Sequence, residues 1–369
     1  MNEKALNPHG GDVYSASKMY GFSNDAFIDY SANINPLGVP LGLKESIISS
    51  LDKLTHYPDI ECRALREAIS RYIDVSIDSI IIGNGAIEII FLLFEVLKPK
   101  KVLIPAPTFC EYAQAASRFG AQVCHFELKE EDGFKINVDD LIREMGEDID
   151  ALFLCNPNNP TSTLISREEL HLLIEYAKIK NKYIIIDEAF IELTEGANAN
   201  SVVDYVATNP NVFVIRAFTK LFAIPGLRLG YGIGSPALIN KLWERKLPWS
   251  VNSLAMCIET FLPISEEYLG KTAQWINEEK LWFYNELSKL EDIKVFTPES
   301  IFILIKLLDD RLTSGSLKEA MASKGILIRD ASNFEFLNNK FIRVAIKDRE
   351  KNLYFLDLFR HALTGLKGG

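Results

Sequence analysis

Short apolar runs ending in polar or glycine-bearing turns recur through the first two thirds of the chain, with helical patterns between them. Such runs are centred near Ile81, Val102, Val123, Leu152, Ile185, Val214 and Tyr231. Two of them, Asp150 to Cys155 and Lys182 to Asp187, are apolar at successive positions instead of alternating, as in strands buried on both faces. The strand and helix alternation from about Ile80 to Gly234 predicts an α/β fold, a mainly parallel sheet with helices on both faces. The stretch Leu229 to Ile233 reads as an edge strand. From Ser235 the pattern turns helical through Trp243, and a long amphipathic pattern covers Ala273 to Leu290. Strands near Ile303, Ile328 and Val344, with helices near Leu317 and Leu356, predict a smaller α+β unit. The glycine, asparagine and proline content of the first forty residues predicts an extended arm lying over a pocket or a partner subunit. The expected division is an arm at 1–40, a large domain at 41–250 and a small domain at 251–369.

Composition narrows the class. A chain of 369 residues with 48% hydrophobic content can bury a large core. Its formal charge of −10 opposes a general role in binding nucleic acid or anionic membranes. Glu88 and Glu95 interrupt the most apolar helical stretch, so no membrane span is expected, and the N-terminus has no apolar signal core. The five cysteines are scattered and form no Cys-x-x-Cys pair, which suits a reducing cytoplasm. His9, His56, His125, His171 and His361 lack ligand spacing along the chain, so no metal is expected.

Candidate chemistry gathers at strand ends. Lys220 lies between Phe218 and Phe222, with Arg228 further on. Burial and a nearby cation lower a lysine's pKa, and only the neutral amine attacks an aldehyde. Arg228 offers a planar fork suited to a phosphate. Asp187 closes an apolar strand, where a carboxylate can keep a heteroaromatic ring nitrogen protonated. Asn159, in the proline-stiffened Asn156 to Thr161 loop, can donate to a phenolic oxygen. Gly83-Asn84-Gly85 precedes a helical pattern from Ala86 to Leu97 and presents backbone N–H groups to a phosphate. Each of these is commonplace alone; four in one order, each at or just after a strand, point to pyridoxal phosphate with Lys220 as its Schiff-base lysine.

That set, Gly83-Asn84-Gly85, Asn159-Pro160-Thr161, Asp187-Glu188-Ala189, Thr219-Lys220 and Arg228, resembles the fold-type I pyridoxal-phosphate enzymes of the aspartate-aminotransferase superfamily over nearly the whole chain. His9-Gly10-Gly11, Asp29 to Gly38, Asp187 to Phe190 and Pro248 to Asn252 are similar to the histidinol-phosphate-aminotransferase branch, and within it to the threonine-phosphate decarboxylases of cobalamin side-chain assembly. The resemblance implies a cytoplasmic homodimer that decarboxylates L-threonine O-3-phosphate, or L-serine O-phosphate, without nucleic-acid or membrane partners. It implies catalytic roles for Lys220 and Asp187. Cofactor contacts would come from Gly85, Ala86, Ile87, Phe109, Asn159, Thr219 and Arg228, and from Tyr57 of the neighbouring subunit. Substrate contacts would come from His9, Gly10, Ser31, Asn159, Arg329 and Arg343. An arginine inside a strand as apolar as Phe341 to Ile346 independently favours an anionic partner.

The departures also carry information. Ala86, Ile87 and Ala217 stand where the family commonly offers hydroxyl or polar donors, Ser162 replaces a loop glycine, Ile301 stands where an asparagine is usual, and Phe190 replaces a tyrosine. Each lost neutral hydrogen bond costs roughly 0.5–1.5 kcal/mol. Phe190 agrees with the decarboxylase branch. The alternatives are an aminotransferase for histidinol phosphate or a related amino acid and, from a different class, a cofactor-binding protein without turnover.

Overall fold

The computed structural model describes residues 9–368. Its centre is a seven-stranded sheet built from β2 (Ile80–Asn84), β3 (Lys101–Ala106), β4 (Gln122–Glu127), β5 (Ala151–Cys155), β6 (Tyr183–Asp187), β7 (Val212–Ala217) and β8 (Leu229–Ile233), after a short β1 (Ile28–Asp29) that lies elsewhere. The strand order is β2-β8-β7-β6-β5-β3-β4. All neighbours run parallel except β8, which is antiparallel to both β2 and β7.

Continuous apolar runs become two cores. Leu152, Leu154, Ile184 and Ile186 face one layer, whereas Phe153, Ile185, Phe213 and Ile215 face the other with Ile89, Leu93 and Leu238 from covering helices. Period-two alternation sends neighbouring side chains to opposite faces, so both must be apolar when both are covered.

Two expectations need correction. The Leu229 to Ile233 strand is not an edge: it sits between β2 and β7, fully buried. Its glycines permit close approach. A Cβ on Gly230 would stand 2.4 Å from the Ala86 backbone nitrogen, and one on Gly232 2.5 Å from the Phe213 ring. The N-terminal stretch is not simply extended either. Residues 1–8 lie outside the described residues, but Val13–Tyr20 is a helix, capped by the Asp12 carboxylate accepting from Ser15 N–H and ended by left-handed Gly21. These cap residues were a legible signal within a composition that otherwise reads as loop.

Beyond Pro236–Arg245 and the long helix Glu266–Leu287, strands β9 (Ile293–Val295), β10 (Phe302–Leu307), β11 (Ile326–Leu327), β12 (Arg329–Asp330) and β13 (Phe341–Ala345) follow. They form an antiparallel sheet ordered β12-β13-β10-β9, while β11 pairs in parallel with β1. Tyr30, just after β1, lies in the core of this C-terminal sheet with Phe283, Ile303, Val344 and Phe355. The final helix, Arg349–Gly368, covers it.

Gly230→Ala is expected to lower the unfolding free energy by about 1–3 kcal/mol, because the new methyl meets backbone that cannot rotate aside. Gly226→Ala, with nothing within 4 Å of its added Cβ, should stay within about 0.5 kcal/mol. Urea midpoints of the two variants check the contrast.

Candidate active site

The strand ends that the fold brings together open onto one cavity of about 520 Å³. At its floor, the single helical turn Phe218–Leu221 follows β7 and projects Lys220 inward. Removal from water, then the charges of Arg343 and Arg228, lowers the Lys220 ammonium to about 8. Asp187 ends β6 and is buried. Its carboxylate accepts from the Tyr112 hydroxyl at 2.8 Å and the Ala189 N–H at 2.9 Å. Burial nevertheless raises it to about 6, leaving it mainly ionised at neutral pH. Tyr112, three residues after Phe109, has no role in the sequence reading; in the structure the two ring centroids lie 5.5 Å apart.

Gly85, Ala86 and Ile87 line the cavity at the start of the helix Ala86–Leu97. Gly85 has φ +77°, and a Cβ there would come within 2.6 Å of Arg228 Nη2. The glycine is therefore required twice, by its left-handed backbone and by the arginine against it. Arg228 is exposed, and among the described residues its one hydrogen bond is a 3.3 Å donation to the Pro225 carbonyl. Phe109, Thr219, Ala217 and Phe190 also line the cavity.

The opposite wall is cationic. Arg329 and Arg343 face each other across the β12–β13 pair, an arrangement that is unfavourable for like charges without an anion between them. Both are buried. Arg343 donates to the Asn159 side-chain oxygen and to the Ser31 carbonyl at 2.6 Å, while its Nε has no partner in the protein. Because arginine only donates, it fixes the Asn159 amide with its oxygen toward Arg343 and its NH₂ group available elsewhere. Burial and Arg329 lower the Arg343 guanidinium to about 9, which leaves it charged. Arg329 donates to Asn333 at 2.7 Å and lies over the Phe334 ring. Asp29, unassigned in the sequence, accepts from both the N–H and the hydroxyl of Ser31 and places a negative charge near Lys220 and Arg343.

His9 and Gly10 reach the same cavity from the N-terminal side. His9 Nε2 pairs with Glu111 at 3.0 Å, and Cys110 lies alongside, so folding assembles donor atoms that have no ligand spacing along the chain. Of the residues expected to touch cofactor or substrate, Tyr57 alone is outside the cavity; it is 83% exposed and packs on Trp249, with ring centroids 5.0 Å apart. Ser162, at the position of the family glycine, has φ +62°. Its hydroxyl accepts the Ser300 N–H at 2.9 Å, a bond glycine would lack.

The family description "Aminotransferase class I and II" matches residues 26–359. The chain belongs to the class I and II aminotransferases. As in that family, its cofactor is pyridoxal 5′-phosphate. A protein of Caldanaerobacter subterraneus subsp. tengcongensis, provisionally named a threonine-phosphate decarboxylase, is 42% identical over 95% of this chain and 93% of its own. The threonine-phosphate decarboxylase of Salmonella typhimurium is 34% identical over 97% of each chain. The crystal structure of the histidinol-phosphate aminotransferase from Clostridium acetobutylicum superposes with a TM-score of 0.84 at 35% identity, covering 91% of this chain and 99% of that one. No described helix is long and apolar enough to cross a membrane.

The cradle fits the cofactor by its own chemistry: a lysine with a depressed pKa, a buried acid, helix N–H groups behind a glycine that admits no Cβ, and an arginine beside them. Lys220→Ala should abolish the visible absorbance band of the purified protein. In stripped protein supplied with pyridoxal phosphate, the capture rate should rise about tenfold per pH unit and level off near 8 as the amine becomes neutral. Removing a cation in Arg343→Ala should move that plateau to higher pH.

Proposed function

We propose that this chain catalyses pyridoxal-phosphate-dependent decarboxylation of L-threonine O-3-phosphate, for the aminopropanol phosphate linker of cobalamin, as a homodimer. The observation that carries the substrate class is the opposed pair Arg329 and Arg343, with a buried Nε lacking a protein partner. Two facing guanidinium groups call for a ligand with two anionic ends, and an amino acid phosphate has them. The pair selects the charge pattern and not the reaction. Decarboxylation is favoured by the two decarboxylase-named relatives at 42% and 34% identity, and by Phe190, which offers no phenol at the cavity.

When bound, pyridoxal phosphate supplies the electron sink for the bond broken at the α-carbon. The chain's residues do the rest. Asp187, its plane fixed by Tyr112 and the Ala189 N–H, would hold a negative charge for the ring nitrogen. Asn159, its oxygen turned to Arg343, would offer its NH₂ group to the ring oxygen. Arg343 and Arg329 orient the substrate's anionic ends. Lys220, neutral above about pH 8 and able to carry a proton below it, returns a proton to the α-carbon.

A second reading, aminotransfer with histidinol phosphate, is favoured by the 35% identical Clostridium structure. A protein without turnover is opposed by the convergence of Lys220, Asp187 and Arg343 on one cavity. The dimer is supported by large apolar side chains left exposed in the single chain, among them Tyr57 stacked on Trp249, and Leu41, Ile48, Leu54, Leu247 and Ile264. The phosphate side of the cavity, at Asn84 and Arg228, is exposed in the single chain, the side where Tyr57 of a second copy would complete it.

Purified protein should release carbon dioxide from L-threonine phosphate without a keto acid. L-Serine phosphate, one methyl smaller, should react about 10–200-fold less efficiently. Arg329→Ala and Arg343→Ala should each raise KM. Absence of release, with turnover of histidinol phosphate once 2-oxoglutarate is added, would establish the aminotransferase instead. Sedimentation velocity should give a dimer, and Tyr57→Ala should weaken cofactor retention without altering the Lys220 environment.

A further inference from the structure

At the rim of the cavity, the loop after β3 ends at Cys110, which caps the helix Glu111–Arg118, and His9 reaches it from the N-terminal side. His9 Nε2 stands 3.0 Å from Glu111 Oε1, the Cys110 sulfur 4.0 Å from the same oxygen, and one donor atom from each residue lies within 4.8 Å of the others. A tetrahedral zinc ion with bonds of about 2.0–2.3 Å separates its ligand atoms by roughly 3.3–3.6 Å. Rotamer adjustments of well under 2 Å would therefore bring the three onto one ion. The donor types also match. Imidazole nitrogen, thiolate and carboxylate are zinc ligands, and three protein ligands leave a fourth position open. The thiolate and carboxylate together balance the charge of the ion, and the thiol proton is released to solvent on binding. All three residues are partly buried and line the cavity.

We propose that His9, Cys110 and Glu111 form a Zn²⁺ site at the mouth of the active-site cavity. Coordination joins the N-terminal segment to the loop after β3, two parts of the chain distant in sequence. It also occupies the Nε2 atom of His9, a residue that the family resemblance described above makes a substrate contact. Resting on that assignment, zinc raises the KM for L-threonine phosphate with kcat unchanged.

The test is equilibrium dialysis of the holoenzyme, freed of excess cofactor, against zinc sulfate. One zinc per chain is expected. His9→Gln and Cys110→Ser should each weaken it by more than the roughly 10–100-fold that loss of an outer-shell partner costs. Cys124→Ser, altering a cysteine on β4 outside the cavity, is the control and should bind as the parent does. Cobalt in place of zinc should give the intense visible bands of a tetrahedral centre, at longer wavelength than the cofactor, and Cys110→Ser should abolish them. Zinc should also slow proteolysis ahead of Val13. Wild-type protein that binds no zinc, a Cys110→Ser variant that binds it as tightly as the parent, or the weak spectrum of octahedral cobalt would overturn the site. Stoichiometric zinc with an unchanged KM would leave the site standing and overturn only its competition with substrate.

Discussion

Four cationic side chains, Lys220, Arg228, Arg329 and Arg343, converge on one cavity of a protein whose net charge is −10. Nearby acids are few: Asp187 near Lys220, Asp29 bonded to Ser31, and Glu111, which is already paired with His9. Holding buried guanidinium groups together without counter-charge costs several kcal/mol per ion. Neutral groups meet part of that cost: the Asn159 and Asn333 oxygens, the Ser31 carbonyl, and the rings of Phe302 and Phe334. What they leave unmet is a demand for anions, and the geometry of the cavity follows from it. Gly85 with Arg228, the arginine pair and the amine of Lys220 all line the cavity.

The lysine turn is held from outside the central sheet. Asn35 donates its backbone N–H to the Lys220 carbonyl at 3.1 Å, and its side chain donates to the Leu221 carbonyl and the Thr272 hydroxyl at 2.9 Å each. Tyr268 donates to the Gly38 carbonyl at 2.8 Å. On the other side of Asp187, Glu188 forms a buried ion pair with Arg216 at 3.0 Å and accepts from Ser201 and the Val202 N–H. A buried, hydrogen-bonded pair ties the residue after Asp187 to Arg216 near the end of β7, the strand that leads into the lysine turn.

The central sheet was legible because strands buried on both faces leave continuous apolar runs, and because acids, glycines and asparagines punctuate their ends. Cavity residues fell at those ends for the same reason. The place of Leu229 to Ile233 was hidden because glycine reads as a weak, peripheral strand residue, whereas here it admits Ala86 and Phe213 at close range. β9 was too short to leave a pattern. Tyr112 and Asp29 escaped because their importance lies in a partner distant in sequence. His9 was read as a substrate contact, but its approach to Cys110 and Glu111 left no signal along the chain, because that cluster exists only after folding.

The pairing of β1 with β11 joins Ile28 to Ile326 and Asp29 to Leu327, and the Tyr30 carbonyl accepts from the Ala345 N–H at 2.8 Å. On a ribosome, the segment carrying Asp29, Ser31 and Asn35 emerges long before its partners at Ile326, Leu327 and Ala345 are made. Contacts of such long sequence separation close late, after the central sheet between them has had time to form. The substrate side of the cavity, with Ser31, Arg329 and Arg343, is therefore assembled at the end of folding, and a nascent chain can hold an ordered sheet with its lysine while having no place yet for a substrate.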